Sequence, residues 1–317
     1  MGIFAKIFMA AALSMTIPLA PVKRISDKPI LSPRKDCFDE LAAYNPTAIK
    51  IKGEHVLLYR GQNKAGTSFV GIARSKDGIR FEADREPLLK PETDYEKKGG
   101  LEDPRLVLID GTYYLTYTGY NGKDAQLCLA SSKDLKTRTR HGVILPAYKG
   151  SWNRGWTKAG AIVDRKINGK YWMYYLGTVD DADQMGVASS TDLINWSDDL
   201  DHPVLPKRPG KFDSRVVEPG PAPFLTDRGI LLIYNGADDK LVYRTGWVLF
   251  DRNDPTKVLA RSDSPLLEPE LSWEIEGQVP NVVFVEGAIK DGERLILYYG
   301  GADSVTGVAE TRLETDM

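Results

Sequence analysis

The sequence predicts an all-β fold, a five-bladed β-propeller, and three observations carry that expectation. First, a phrase centred on one tyrosine occurs five times: LLYRG at Tyr59, LTYTG at Tyr117, MYYLG at Tyr175, LIYNG at Tyr234 and LYYGG at Tyr299. The intervals are 58, 58, 59 and 65 residues, and a period of that size marks a repeat architecture. Second, each copy follows a tight glycine turn: Lys52-Gly53, Asp110-Gly111, Asn168-Gly169, Arg228-Gly229 and Asp291-Gly292. Apolar runs flanking such a turn read as two antiparallel strands. Third, another strand follows in most copies, as VGIARSKDG, LCLASSKDL, MGVASSTDL and the truncated TGVAETRL; the fourth copy carries the divergent TGWVLFDRND. A fourth strand is expected to end near Pro87, Ile144, Val204 and Pro265. Four short strands per copy, five times over, give the propeller.

The chain has 317 residues, and the repeat fills most of them, so one domain is expected over residues 23–317. A net charge of −2 and no same-sign run longer than one such as Lys97-Lys98 leave no basic stripe for nucleic acid. Cys37 and Cys128 lack metal-type spacing, and His55, His141 and His202 are scattered. Neither a metal site nor a cofactor is expected from them. Residues 1–22 read as a signal peptide: Lys6 precedes an apolar run to Ala20, with a cut near Pro18-Leu19-Ala20 or after Ser14. The run is too short to favour a membrane span. A periplasmic or secreted protein follows; a cytoplasmic one follows if the segment is only an apolar extension.

In a propeller the innermost strand of each blade runs along the central axis, and one end of these strands converges on a pocket. The strand before each glycine turn begins with a polar residue: Asn45, Asp103, Lys158, Glu218 and Glu286. Asn45 and Asp103 both stand 14 residues before their tyrosine; the other three match this phase more loosely. One ring with three carboxylates is expected. Mutual repulsion and burial both raise carboxyl pKa values, which sets an acid beside a base, as glycoside hydrolysis requires. The competing reading makes these charges strand-end caps or partners of Arg60, Arg74, Arg105 and Lys158. Three carboxylates in register across copies favour catalysis or ligand binding. The recurring ARSKDG, ASSKDL and ASSTDL segments read as outer turns whose Ser and Asp bond to backbone.

The most specific stretch is GGLEDPRLVLIDGTYYLTYTGYNG. Together with NPTAIKI, KINGKYWMYY, GILLIYNGAD and VPNVVFVEGAIKDG it makes the chain resemble glycoside hydrolase family 130, the mannoside phosphorylases and mannosidases, from about Lys28 to Leu313. The resemblance implies a five-bladed propeller acting on β-mannosides with inversion. It places the proton donor, acting through a sugar hydroxyl, on Asp103. It places substrate-binding residues on Asn45, Arg60, Arg74, Arg105, Tyr120 and Asp303. The family's phosphorylases usually carry His-Arg-Pro where this chain has Tyr175-Leu176-Gly177, His at the position of Asn235, and Lys near Glu218. Loss of these cations points to an inverting, exo-acting β-mannosidase on a short oligosaccharide, with β-1,2 among the linkages to test. Glu218 or Glu286 would then activate water. Lys158, the one cation on the ring, keeps a phosphorylase as the runner-up. A non-catalytic carbohydrate-binding propeller and a furanosidase of another five-bladed family are the further alternatives.

Overall fold

The computed structural model describes residues 18–148, 152–179 and 182–314. They form an all-β protein whose only described α-helix is Ser272–Ile275. Five antiparallel units follow one another along the chain. The first is Ala42–Ile51, Glu54–Gln62, Ser68–Ser75 and the short edge Glu82–Ala83. The second is Gly100–Ile109, Thr112–Tyr120, Ala125–Ser132 and Arg138–Leu145. The third is Thr157–Ile162, Tyr171–Val179, Ala182–Ser190 and Ser197–Asp198. The fourth has a split inner strand, Val216–Pro219 and Phe224–Thr226, then Gly229–Ala237, Tyr243–Phe250 and Val258–Arg261. The fifth is Val283–Asp291, Arg294–Gly301 and Val305–Arg312, and its outer strand comes from the other end of the chain, Lys23–Arg24. Of the four segments expected to end the outer strands, only Ile144 lies in one. Leu89, Leu205 and Leu267, close to the other three, make single bridges to Val70, Met185 and Thr245.

The apolar core lies between consecutive units rather than within them. Val56 packs with Leu106, Leu127 with Met173, Tyr174 with Ile230, and Ile233 with Val285. The fifth unit meets the first in the same way, through Ile296, Leu57 and Tyr59.

The five repeat tyrosines hold equivalent places. Each lies in the second strand of its unit and is fully buried. Each pairs with a small residue on the third strand: Gly71, Cys128, Gly186, Gly246 and Gly307. A Cβ on Gly71 would stand 2.4 Å from the Tyr59 ring, so the close approach requires glycine. A buried phenol needs a partner, and an acidic one recurs. Tyr59 donates to Asp39, Tyr117 to Glu96, Tyr234 to Asp213 and Tyr299 to Glu274. In the third unit Asn153 takes the acid's position and donates to Tyr175, which donates to Asp198 on the outer strand. Arginines close the knots: Arg34 on Asp39, Arg140 on Glu96, Arg208 and Arg261 on Asp213, and Arg24 on Glu274. This recurrence is visible in the sequence as an aromatic followed by an acid or amide, Phe38-Asp39, Tyr95-Glu96, Trp152-Asn153, Phe212-Asp213 and Trp273-Glu274, and the tyrosine-centred reading passed over it. Tyr234→Phe removes one donor from a buried carboxylate that keeps two arginines, so a loss of about 1.5–3 kcal/mol is expected. Chemical denaturation measures it, and an unchanged midpoint would show that the knot is not stabilising.

The leader expected over residues 1–22 lies outside the described residues up to residue 17. Residues beyond that point pack on the last strand: Leu19 is 3% exposed and bridges Leu313, and Ala20 donates to the Arg312 carbonyl. The segment set outside the fold by the sequence reading thus reaches into it.

Candidate active site

The first strands of the units are not regular. Each of the first three units has a bulge at the same register: between Tyr44 and Thr47, Glu102 and Arg105, and Lys158 and Ala161. The extra residues adopt left-handed backbone, with φ of 46° at Asn45, 50° at Asp103 and 59° at Ala159. A bulge re-aims a side chain and leaves its residue out of the ladder. Pro46 and Pro104 follow Asn45 and Asp103 in sequence, and a proline has no N–H to lose at such a position. In the fifth unit the bulge lies between Val285 and Gly287 and holds Glu286.

These bulges correct the expected ring. Against the second strands, Glu102 pairs with Thr118, Lys158 with Leu176 and Glu218 with Asn235, each one residue beyond its repeat tyrosine. Lys158 and Glu218 are therefore register equivalents of Glu102 and Tyr44, not of Asp103 and Asn45. Two layers replace the single ring.

One cavity of about 160 Å³ opens where the layers meet. Its polar wall is Asn45, Arg60, Asp103, Lys158, Glu218 and Asp303, and its apolar wall is Tyr243, Val279, Val282 and Phe284. Six of the ten sequence-predicted residues are brought together there. Arg74 is not: it pairs with Asp84 and stands opposite Val56. Arg60 stands opposite Val70, so the two arginines are about 13 Å apart along the strand at ~3.3 Å per residue. Tyr120 packs near the site against Trp156, at 5.7 Å between ring centroids, without lining the cavity.

Arg105 and Glu286 lie beneath it. Arg105 is buried and donates to the carbonyls of Asp103, Pro219 and Gly220 at 3.0, 2.7 and 2.9 Å. Its guanidinium also meets Glu286 at 3.0 Å and Glu218 at 3.7 Å. One side chain of the second unit thus ties down the strands that carry Asp103 and Glu218. Glu286 is 0% exposed and, among the described residues, its carboxyl has Arg105 as its ionic partner. Neither Arg105 nor Glu286 lines the cavity; both form its floor.

Around the cavity, Asp103 accepts from Asn45 at 3.0 Å and from Arg60 at 3.2 Å. Burial opposes its ionisation, but Arg60, Lys158, Arg105 and the Asn45 bond outweigh burial and hold it below the usual carboxylate range. Glu218 goes the other way: burial dominates over Arg105 and Lys158 and pushes it up to about 8. Burial likewise raises Asp303 to about 6 and lifts Glu286 well above a normal glutamate. Burial disfavours the Lys158 ammonium, yet Glu102, Asp103 and Glu218 more than offset it. At neutral pH the cavity therefore sets ionised Asp103, Arg60 and Lys158 beside a neutral Glu218. Among the described residues no group of three or more His, Cys, Asp or Glu side chains is arranged to hold a metal ion.

A polar cavity with carboxyl groups of opposed pKa and two cations, opposite an apolar wall, has the character of a carbohydrate-active site. The chain belongs to glycoside hydrolase family 130: the family profile, described as β-1,4-mannooligosaccharide phosphorylase, matches residues 17–317. It is similar to the 1,2-β-oligomannan phosphorylase of Thermoanaerobacter sp. (strain X514), 43% identical over 91% of this chain and 96% of that one. Among solved structures it resembles the β-1,2-mannobiose phosphorylase from Listeria innocua in complex with β-1,2-mannobiose, with a TM-score of 0.83 at 28% identity over 92% and 96% of the two chains. A second solved structure has a TM-score of 0.84 at 33% identity over 92% and 94%; its description states that this family of mannoside phosphorylases contains glycoside hydrolases targeting β-1,2 mannosidic linkages in Candida mannan. The chain is thus a member of a mannoside-processing enzyme family.

Proposed function

We propose that the five units are the five blades of a β-propeller and that the axial cavity cleaves β-1,2-linked mannosides by phosphorolysis, with inversion. The observation that carries this reading is the 43% identity to a 1,2-β-oligomannan phosphorylase across nearly the whole chain. The site supports it. The sequence alone favours hydrolysis, since it shows Glu218 as an anion and Leu176 and Asn235 in place of cations. Burial pushes Glu218 up to about 8, so near neutral pH its protonated form is able to donate a hydrogen bond rather than repel phosphate. Leu176 and Asn235 are sealed away from the cavity; Asn235 is 0% exposed and spends its amide on the backbone of Val285. Arg60 and Lys158 stay charged, and charge-assisted donors are what phosphate needs.

In this mechanism the terminal mannose enters the cavity with its hydroxyls toward Asn45, Asp103 and Asp303. Phosphate shares Arg60 and Lys158. That sharing weakens what holds Asp103 ionised, so its pKa climbs when both substrates are bound, and it becomes able to supply the proton through a sugar hydroxyl.

Hydrolysis is the second reading, favoured by Glu218 itself, a carboxyl on the cavity wall that becomes a base once ionised. A pH titration separates the two. Below about 8 Glu218 is protonated and neutral; above it, a negative charge appears beside Asp103, Asp183, Lys158, Arg105 and Tyr243. For phosphorolysis the KM for phosphate is expected to rise as pH passes about 8 in the native enzyme and not in Glu218→Gln. The titration of phosphate itself is common to both and cancels. A rate that instead rises with ionisation of Glu218 and ignores phosphate would support hydrolysis.

A further inference from the structure

Glu102 precedes the proposed proton donor in sequence and does not line the cavity. It is 6% exposed. One carboxylate oxygen accepts from Arg60 Nη2 at 2.7 Å; the other lies 3.6 Å from Lys158 Nζ. These two cations come from the first and third units, so Glu102 of the second unit is, with Asp103, an anion between them. Arg60 is held on its remaining sides as well. Its Nη1 donates to Asp103, its Nε donates to Ser68 at 2.9 Å, and its guanidinium lies over the Tyr44 ring.

Without Glu102, two half-buried cations would be left to share Asp103 as their close anion. Like charges in a partly desolvated site repel and move apart. Lys158 has four flexible carbons and no other ion pair among the described residues. Arg60 would turn on its bond to Ser68, and the bond from Arg60 to Asp103 would turn with it.

We propose that Glu102 is a positioning residue that fixes Arg60 against Asp103 and Lys158 against the cavity, and so sets the geometry in which the proton donor and the two cations act. The proposal rests on the reading of the cavity as a mannoside-cleaving site. A misplacement of ~1 Å at a reacting group can cost about 10²-fold in rate.

Glu102→Gln keeps shape and removes the charge; Glu102→Asp keeps the charge one methylene shorter. With β-1,2-mannobiose as substrate, Glu102→Gln is expected to lower kcat about 10–100-fold, with the mannoside KM changed less than about threefold and the melting temperature within a few degrees. Glu102→Asp is expected to recover at least about a tenth of the native kcat. A second readout needs no turnover: acylation of Lys158 by a small amine-reactive reagent, followed by mass spectrometry. Losing its anion makes the lysine easier to deprotonate, so labelling of Lys158 is expected to speed up at least about threefold in Glu102→Gln. Faster labelling in an enzyme without mannoside turnover would sink the function and keep the pairing. Unchanged labelling, native kcat in Glu102→Gln, or no recovery in Glu102→Asp would overturn the proposal.

Discussion

Asp103→Asn is expected to lower kcat by about 10²–10⁴-fold, the usual contribution of a general acid–base step, while the protein remains folded. The side chain is the meeting point of the site: Asn45 and Arg60 both donate to it, and Lys158 and Arg105 act on it through their charge. An asparagine keeps the planar shape and can still accept from Asn45 through its carbonyl oxygen. It cannot carry a proton to the sugar. Because the bulge at Asp103 has a φ of 50°, asparagine is also among the residues that tolerate the backbone. The fold therefore has little reason to change, and the melting temperature should stay within a few degrees of native. Turnover within tenfold of native would move the acid to another group, Glu218 being next in line because it is protonated at neutral pH.

Arg105→Met is expected to destabilise the protein by about 3–5 kcal/mol, the result of leaving several buried acceptors without a donor at ~1–3 kcal/mol each. The cost has two parts. Three carbonyls, of Asp103, Pro219 and Gly220, lose their donor in a place where water does not reach. The buried Glu286 carboxyl also loses the guanidinium that packs against it. Glu286→Gln is the contrasting variant. Burial already favours the neutral form of this carboxyl, so a neutral amide of the same shape should cost under about 1 kcal/mol, in keeping with the small effect of a shape-conserving neutral swap, and leave kcat within about fivefold. Urea unfolding and steady-state rates measure both variants. A kcat loss of about 10²-fold or more in Glu286→Gln would return this residue to the role of water activator.

Much of the fold was legible because the tyrosine phrase reports a packing constraint that each unit repeats. A fully buried ring, a small residue across from it and an acid on its hydroxyl leave little freedom of sequence at that place. The site was legible in part. Asn45 and Asp103 were found because their bulges are alike, down to the proline that follows. Lys158, Glu218 and Glu286 were assigned to the same ring because a sequence count does not register a one-residue bulge, and a slip of one residue moves a side chain to a different layer. Arg74 matched a family position but sits at the far end of its strand, beyond any reading based on residue type. The charge of Glu218 is not legible for another reason: it depends on how deeply residues from other units bury it, which no single segment encodes. The role of Glu102 was hidden by its neighbour, since the motif drew attention to Asp103.

In the proposed reaction phosphate, not water, receives the mannosyl group. Incubation with β-1,2-mannobiose, with and without inorganic phosphate, followed by identification of the products, tests it most directly. Mannose 1-phosphate formed only when phosphate is present is the predicted result. Free mannose released at the same rate in its absence would contradict the account.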